Sequence, residues 1–192
     1  MRLFVGIPLG SETTGELSAL VSRLRSGSGG MRWSSPDSWH ITLQFLGNTT
    51  PDRIPCLTAR LGEVRSAPVP IQLGKLGSFE RAGVFFADVA VSTGLAELQE
   101  RVIAATARCG FVAEARPFHP HITLARKTAA KGTSGRGDKA GSREQRDLVA
   151  TAGTCRFSHF TACEFLLYES HLGAQGSRYE VLARFAFSER PH

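Results

Sequence analysis

The chain has 192 residues, of which 42% are hydrophobic and 21% are charged, a balance that argues against disorder of the whole chain. Its apolar runs fall short of the ~20 residues that a membrane-spanning helix needs. The N-terminal run is also too short for a secretory signal, so we expect a cytoplasmic protein with no membrane association. The net charge of +6 favours anionic partners such as nucleic acid.

The predicted elements alternate between strands and helices, with hairpins between some of them. Because of these hairpins a doubly wound parallel sheet fits poorly, and an α+β fold with mainly antiparallel sheets is favoured. The order also indicates a single domain with two pseudo-symmetric lobes and a cleft between them. In chain order we expect strands at 2–8, 31–33, 39–46, 69–79, 83–91 and 121–125, two long strands in the last third, and helices at 11–25 (with Ser11 as N-cap), 50–64 and 94–109.

Residues 127–147 are rich in Gly, Lys, Ser and Arg and predict a flexible basic loop. Six basic residues stand there against three acidic ones, so the segment carries +3, half of the net charge. The loop could steer an RNA backbone towards a site by long-range electrostatics. We favour the other interpretation, a solvated insertion without a function of its own.

Four cysteines are present, and none of them forms a CxxC pair. Their spacing is typical of neither a zinc site nor a dense disulfide framework. We therefore expect reduced, partly buried cysteines and no metal or other cofactor. The cysteines are Cys56, Cys109, Cys155 and Cys163.

The tetrapeptide His-Ile-Thr-Leu occurs twice, at residues 40–43 and 121–124, and both copies lie on predicted strands. A repeat this short carries little weight by itself, but its content does. Along a strand, successive side chains point to opposite faces, so His and Thr share one face while Ile and Leu share the other. The apolar pair can pack on a core while the polar pair faces a cleft. If the two lobes face each other, two imidazoles and two hydroxyls converge.

Two imidazoles and two hydroxyls suit the cleavage of a cyclic phosphodiester. One group must take a proton from the attacking water and another must give one to the leaving oxygen, and histidine titrates near pH ~6.5. The threonine hydroxyls can donate hydrogen bonds to the non-bridging oxygens. A single His-x-Thr is more often structural, and a metal site would lack a third ligand at useful spacing. The second copy favours catalysis without a metal.

With these motifs the sequence resembles the 2H phosphoesterase family, in particular its bacterial and archaeal RNA 2′,3′-cyclic phosphodiesterase branch, also called 2′-5′ RNA ligase. The resemblance extends over most of the chain, through RLFVGIP, MRWSSPDSWHITLQFLGNT, FHPHITLAR, FLLYES and SRYEVLARF. It implies a bilobal α+β fold and hydrolysis of an RNA 2′,3′-cyclic phosphate to a 2′-phosphomonoester. It also implies possible joining of RNA through 2′-5′ linkages.

The resemblance further implies roles for individual residues. His40 would be the proton donor to the leaving 3′ oxygen, and His121 the proton acceptor that activates water. Thr42 and Thr123 would hold the phosphate. From the residues alone we expect only two histidines in opposite protonation states and a bell-shaped pH profile. We also expect the chain to act as a monomer.

Other candidates surround the motifs. Arg126 could contact phosphate, although strict strand alternation points it away from His121 and requires the strand to end there. Phe45, Trp33, Phe118 and Tyr179 could stack on a base, with core packing favoured for Phe45. His119 is expected at the cleft rim and not as a third catalyst, and His159, His171 and His192 as structural or solvated.

Two alternatives to RNA cyclic-phosphate hydrolysis remain open at this point. The same histidines could act on another small cyclic nucleotide or on a 2′-5′ oligonucleotide. In a non-enzymatic alternative, the chain binds and protects RNA ends without turnover, and its binding depends on the basic loop instead of the histidines.

Overall fold

The computed structural model describes residues 1–26, 29–128, 145–153, 155–173 and 176–188. Ten strands and four helices are present in these ranges. The strands are β1 Arg2–Pro8, β2 Met31–Trp33, β3 His40–Asn48, β4 Val69–Ile71, β5 Leu73–Phe79, β6 Val84–Val89, β7 His121–Lys127, β8 Phe160–Ala162, β9 Glu164–Gly173 and β10 Gly176–Ala186. The helices are α1 Ser11–Arg25, α2 Ile54–Gly62, α3 Thr93–Ala107 and α4 at 145–152.

Two four-stranded sheets form the framework, in the orders β10-β9-β1-β3 and β2-β7-β6-β5. A small third sheet joins β4 to β8. Every strand pairing among the described residues is antiparallel. The α+β prediction is therefore confirmed. The chain passes repeatedly between the two large sheets, so β3 and β7, which carry the two His-Ile-Thr-Leu motifs, belong to different sheets.

One hydrophobic core joins the two large sheets to the helices. The apolar residues of both motifs lie in it, with exposed fractions of 0 to 3%, as strand alternation predicts. Burying each of these side chains contributes roughly 1.5–3 kcal/mol. That contribution fixes the opposite face of each strand towards the cleft. The four residues are Ile41, Leu43, Ile122 and Leu124.

Several predicted boundaries are wrong in instructive ways. The predicted strand 69–79 divides into β4 and β5, which join different sheets. The strand predicted to stop at Gly47 continues through it to Asn48. Gly47 has a positive φ of 72°, which glycine adopts without steric cost, so the strand is not interrupted there. Ser11 begins α1 instead of capping it, and Gly10 is the cap residue. Pro51–Arg53 form a 3-10 turn before α2.

The predicted basic loop 127–147 is shorter than expected at both ends. Lys127 still belongs to β7, and residues 145–147 are helical and lie in α4, a helix that the sequence does not predict. Residues 129–144, to which the prediction of flexibility mainly applies, lie outside the described residues. No helix among the described residues is long and apolar enough to cross a membrane.

The prediction of reduced cysteines is wrong for one pair. Cys56 in α2 and Cys109, just after α3, form a disulfide with a Cα–Cα distance of 6.0 Å. They are 53 residues apart in sequence, and only the packing of α2 beside α3 brings them together. Sequence spacing carries no sign of that packing. Cys155 and Cys163 are free thiols.

Candidate active site

Both His-Ile-Thr-Leu motifs open into one cleft of about 630 Å³. β3 forms an edge of the first sheet and β7 lies inside the second, and the two strands contact each other. His40, Thr42, His121 and Thr123 all line it. The structure thus brings together the four polar motif residues that strand alternation turned to one face of each strand.

The two histidines are held by the same local hydrogen bond. His40 Nδ1 donates to the carbonyl oxygen of Ser38 (2.9 Å), and His121 Nδ1 donates to the carbonyl oxygen of His119 (2.8 Å). Each acceptor lies two residues before its histidine. A carbonyl oxygen can only accept, so Nδ1 carries the hydrogen in both rings. The Nε2 atom of each neutral ring is left with a free lone pair for proton transfer.

A β-bulge follows the threonine of each motif. In the β1–β3 pairing, Val5 is opposite Gln44 but Gly6 is opposite Thr42, so Leu43 has no partner. In the β6–β7 pairing, an equivalent shift falls between Thr123 and Ala125. One extra residue reverses the alternation of the strand beyond it.

The bulges correct two predictions. Arg126 turns back to the face of His121 and lines the cleft, although β7 continues to Lys127 and does not end there. Phe45, predicted to pack in the core, lines the cleft on the other side and is 48% exposed. Each residue lies five positions after its motif histidine.

Aromatic rings surround His40. The Phe4 ring lies 4.5 Å from the His40 ring and the Tyr179 ring lies edge-on at 4.9 Å, both between centroids. Tyr168 stacks on Phe4 and completes this aromatic cluster. Burial lowers the pKa of His40 to about 4, against the opposing hydrogen bond to Ser38, and the nearby His121 and Arg126 lower it further. Burial also raises the pKa of the Tyr168 hydroxyl to about 12.

Gly6 on β1 allows β3 to approach closely. A Cβ at position 6 would lie 2.9 Å from the carbonyl oxygen of Ile41 and 3.5 Å from Cδ2 of the His40 ring. The first contact is shorter than real side chains tolerate, and the atom it meets belongs to the backbone. A larger residue at position 6 would therefore push back the β3 backbone at Ile41, next to His40.

His121 has a different environment. The rings of Phe79 and Phe86 lie 5.1 and 5.3 Å from its ring, and the ring of His119, which is hydrogen-bonded to Asp88, lies 6.2 Å away. Burial is again the largest cause lowering the pKa of His121, and the hydrogen bond to the His119 carbonyl opposes it. The charges of His119 and Arg126 lower this pKa further, whereas the Asp88 carboxylate raises it.

Cationic side chains line the cleft on several sides. Arg126 stands beside His121, and three further arginines come from β1, β2 and β10. Sequence patterns do not predict these three as site residues, because they lie far apart along the chain. Several guanidinium groups in one cleft suit the binding of phosphate. The three are Arg2, Arg32 and Arg178.

Some of the remaining predicted candidates line the cleft and others do not. Trp33 and Tyr179 line the cleft, whereas Phe118 packs against the core and is not among the lining residues. His119 does not line the cleft either, and instead pairs with Asp88. His159 is exposed, as predicted. His192 lies outside the described residues.

Among the described residues, one group of side chains has ligand atoms close enough together to hold a metal ion. It consists of Glu169, His171 and Glu180 on β9 and β10. His171 Nε2 lies 3.3 Å from a Glu180 oxygen and 3.8 Å from a Glu169 oxygen. None of the three lines the cleft. We read the group as an ion-pair cluster outside the site.

The site therefore combines two imidazoles, each held by a hydrogen bond from Nδ1, with two hydroxyls and an arginine in one cleft. The imidazoles can give and take protons on two sides of a bound group. The hydroxyls and the guanidinium can stabilise negative charge on its oxygens. This is the set of functions that metal-independent displacement at a phosphodiester requires.

Relatives of similar sequence are named as RNA 2′,3′-cyclic phosphodiesterases. An RNA 2′,3′-cyclic phosphodiesterase of Geobacillus stearothermophilus is 31% identical over 98% of this chain, which spans 58% of that relative's length. A protein of the same name from Archaeoglobus fulgidus is 27% identical, with 96% of this chain and 99% of the relative covered.

Two solved structures are similar to this chain in fold. Escherichia coli LigT complexed with 3′-AMP superposes with a TM-score of 0.75 at 25% identity, covering 98% of both chains. TT0787 of Thermus thermophilus superposes with a TM-score of 0.70 at 26% identity, covering 97% of this chain and 98% of that one. The family model described as the 2′-5′ RNA ligase superfamily matches residues 13–140, well over half of the sequence and inclusive of both motifs. The chain therefore belongs to the 2′-5′ RNA ligase superfamily of 2H phosphoesterases.

Proposed function

We propose that this protein hydrolyses an RNA 2′,3′-cyclic phosphodiester to a 2′-phosphomonoester by two-histidine acid–base catalysis. The observation that carries the proposal is the placement of His40 and His121 on facing strands of one cleft, each with Nδ1 bonded to a backbone carbonyl. The names of the relatives point to the same substrate class.

In the proposed mechanism, His121 is the proton acceptor. Its Nε2 lone pair takes a proton from a water as the water oxygen forms a bond to phosphorus. His40 is the proton donor. Its Nε2 gives a proton to the 3′ oxygen as the bond between that oxygen and phosphorus breaks, and the phosphate stays on the 2′ oxygen. Each proton transfer contributes about 10²–10⁴-fold to the rate.

Thr42, Thr123 and Arg126 are proposed to bind the phosphate. The two hydroxyls lie on the histidine face of their strands, and the bulge in β7 turns Arg126 to the same face. Hydrogen bonds from these groups would strengthen as negative charge builds up on the non-bridging oxygens. Arg2, Arg32 and Arg178 would extend the cationic surface along the rest of an RNA chain.

As the proton donor, His40 must be protonated before the reaction. Burial, however, lowers its pKa to about 4 in the free protein. The substrate itself would resolve this conflict. A phosphodiester anion bound beside the ring favours the imidazolium, because an opposite charge at close range raises the pKa of histidine. Proton loading of His40 would thus accompany substrate binding.

We further propose that the chain acts as a single domain, as a monomer and in the cytoplasm, with each lobe supplying one histidine. The same site would join RNA through a 2′-5′ linkage when a ribose hydroxyl replaces water as the nucleophile. That reaction uses the same two proton transfers, from the attacking hydroxyl to His121 and from His40 to the leaving 3′ oxygen, and needs no additional residue.

The decisive experiment incubates the protein with the four nucleoside 2′,3′-cyclic monophosphates and with an RNA that ends in a cyclic phosphate. The expected product is the 2′-monophosphate. His40→Ala and His121→Ala should each reduce turnover by at least about 10²-fold, while the exposed His159→Ala serves as the matched control. Circular dichroism verifies that all three variants fold.

Three results would overturn the proposal. Full activity in either motif variant would remove the histidines from the chemistry. Loss of activity in EDTA with recovery on adding a divalent ion would replace acid–base catalysis by metal catalysis. Tight RNA binding without turnover, unaffected by the histidine variants, would identify an RNA-end-binding protein. A panel with 2′-5′ oligonucleotides and other cyclic phosphates tests the substrate class.

A further inference from the structure

The two motif histidines share a hydrogen-bond pattern but differ in what lies behind it. Ser38, which accepts from His40, belongs to a short 3-10 turn. His119, which accepts from His121, has a side chain of its own that is engaged elsewhere. Its Nε2 donates to Oδ1 of Asp88 at 3.0 Å. The second lobe therefore contains a carboxylate and a third imidazole that the proposed mechanism does not use.

Strand register places Asp88 beside His121. The two residues are direct partners in the antiparallel β6–β7 pairing, so their side chains leave the sheet on the same face. The backbone between His119 and His121 is attached to β6 as well, because Val89 N–H donates to the carbonyl oxygen of Pro120 (3.1 Å). Asp88 thus stands on β6 opposite His121, and from there its carboxylate reaches the His119 ring.

The pair is also packed against the same rings as His121. Phe79 presents its ring edge-on to His119 at 5.2 Å and to His121 at 5.1 Å, between centroids. Phe86 contacts both imidazoles at 5.6 and 5.3 Å. Movement of His119 would disturb this packing and the carbonyl that holds His121.

From this geometry we propose that Asp88 and His119 form a positioning pair for His121. Asp88 holds the His119 imidazole, and the His119 carbonyl in turn fixes the His121 ring with Nε2 towards the cleft. Neither residue touches the substrate in this proposal. It rests on the proposed function, because the orientation of His121 matters only if this ring transfers a proton.

Charge gives the pair a second effect on His121. The charged and titratable groups that act on His121 are His119 and Arg126 from its own segment, Asp88 from β6 and His40 from the opposite lobe. β5 faces it with the uncharged Phe79 ring. The Asp88 carboxylate raises the pKa of His121, and the His119 charge lowers it. Removing the Asp88 carboxylate should therefore lower the pKa of His121, and removing the His119 charge should raise it.

The test compares Asp88→Asn with His119→Gln. Gln retains an Nε2–H donor for Asp88 and loses the charge, whereas Asn retains the size of Asp88 and loses the carboxylate. NMR titration of the His121 ring should give a lower pKa in Asp88→Asn and a higher one in His119→Gln. Asp88→Glu should return the value towards that of the original protein. Asp52→Asn, on the exposed turn before α2, removes a carboxylate outside the cleft and should leave the titration unchanged.

Kinetics then link the pair to the reaction. Asp88→Asn should lower kcat/KM by about 10-fold, as loss of an orienting partner behind a catalytic histidine commonly does. The limb of the kcat/KM profile that follows His121 should move to lower pH in Asp88→Asn and to higher pH in His119→Gln. Purely structural damage would instead lower activity in both variants without opposite shifts.

The outcomes separate this inference from the proposed function. Unchanged His121 titration in both variants, or shifts of the same sign, overturns the positioning pair. If the NMR titration shifts but neither limb of the pH profile moves, the pair stands and His121 takes no part in the proton transfers, which overturns the roles proposed above. If no cyclic phosphate is turned over, the proposed function fails, whereas the NMR titration still decides whether the pair acts on His121.

Discussion

Phe45 and Arg126 occupy equivalent places, five residues after His40 and His121 on strands with matching bulges. The backbone of the two lobes is alike at these points, but the side chains are not. One wall of the cleft carries an aromatic ring and the other a guanidinium group. The bulges therefore give two similar strands two different chemical surfaces.

This difference predicts separate effects on base and phosphate. Phe45→Ala should weaken binding of nucleoside cyclic phosphates by about 1–3 kcal/mol, since an exposed ring in the cleft can stack on a base. Arg126→Gln should lower kcat/KM for any cyclic phosphate, because a charge-assisted contact to the reacting group contributes about 1.5–3 kcal/mol.

The two effects are distinguished with a ribose cyclic phosphate that lacks a base. Steady-state kinetics should show the Phe45→Ala defect only on the nucleoside substrate and the Arg126→Gln defect on both. A Phe45→Ala defect of equal size on the base-free substrate would contradict the assignment of this ring to the base.

The value of kcat/KM, which depends on the free enzyme, should be highest at acidic pH. The kcat/KM profile reports the protonation states of the free protein, and burial lowers the pKa of both His40 and His121 there. We expect the maximum of kcat/KM below pH ~6.5, the ordinary pKa of histidine. The maximum of kcat, which reports the complex, should lie at higher pH because the bound phosphate raises the pKa of His40. Equal positions of the two maxima would contradict proton loading by the substrate.

Stability should also depend on His40. Its pKa is about 4 in the folded chain and about 6.5 when unfolded, so between these values the unfolded state binds more protons. The free energy of unfolding should be free of this penalty above pH ~6.5 and fall by up to about 3 kcal/mol towards pH ~4. Urea unfolding of the original protein and of His40→Ala at several pH values measures the difference. A variant with the same pH dependence would contradict it.

Reduction of the disulfide should lower stability without stopping catalysis. The Cys56–Cys109 bond closes a loop of 53 residues and does not line the cleft. A loop of this length corresponds to about 4 kcal/mol of chain entropy in the unfolded state, and measured values are commonly about 2–4 kcal/mol. Thermal unfolding with and without dithiothreitol should show a lower Tm on reduction, as should Cys56→Ser. Loss of kcat at a temperature at which the reduced protein is folded would contradict a purely stabilising role.

Glycine at position 6 should be required for activity. Gly6→Ala would push a Cβ into the Ile41 carbonyl and displace β3, with a cost of about 1–3 kcal/mol in stability. Turnover should fall because His40 moves with the strand. Gly15→Ala in α1 is the matched control, since a Cβ there meets no atom within 4 Å and should stabilise the helix by about 0.5–1 kcal/mol. Unfolding curves and turnover of both variants decide the point.

Much of the site follows from strand periodicity alone. The His-Ile-Thr-Leu pattern predicts both the buried Ile and Leu pair and the polar face, because these depend on one strand at a time. Strict alternation alone would turn Arg126 and Phe45 away from the motif histidines, because a bulge depends on the register with the neighbouring strand. The same holds for the Cys56–Cys109 bond, which depends on two helices packing together. Local patterns do not contain these pairings between distant segments.

The Asp88–His119 pair is not predicted from the sequence for a related reason. His119 lies close to the second motif in sequence, but its partner lies 31 residues earlier, on β6. Only the register of β6 with β7 brings the carboxylate to the imidazole. A signal existed in the sequence, since a charged residue interrupts the apolar run VFFADV.

The passage of the chain between its two sheets has a consequence for biosynthesis. Residues 1–128 already contain both motif histidines and all four strands of the second sheet. The first sheet still lacks β9 and β10, which bring Tyr168 and Tyr179 to the His40 ring. A nascent chain of that length would hold His40 in a wetter environment with a more ordinary pKa. The surroundings that adjust this histidine are completed only when the final hairpin leaves the ribosome.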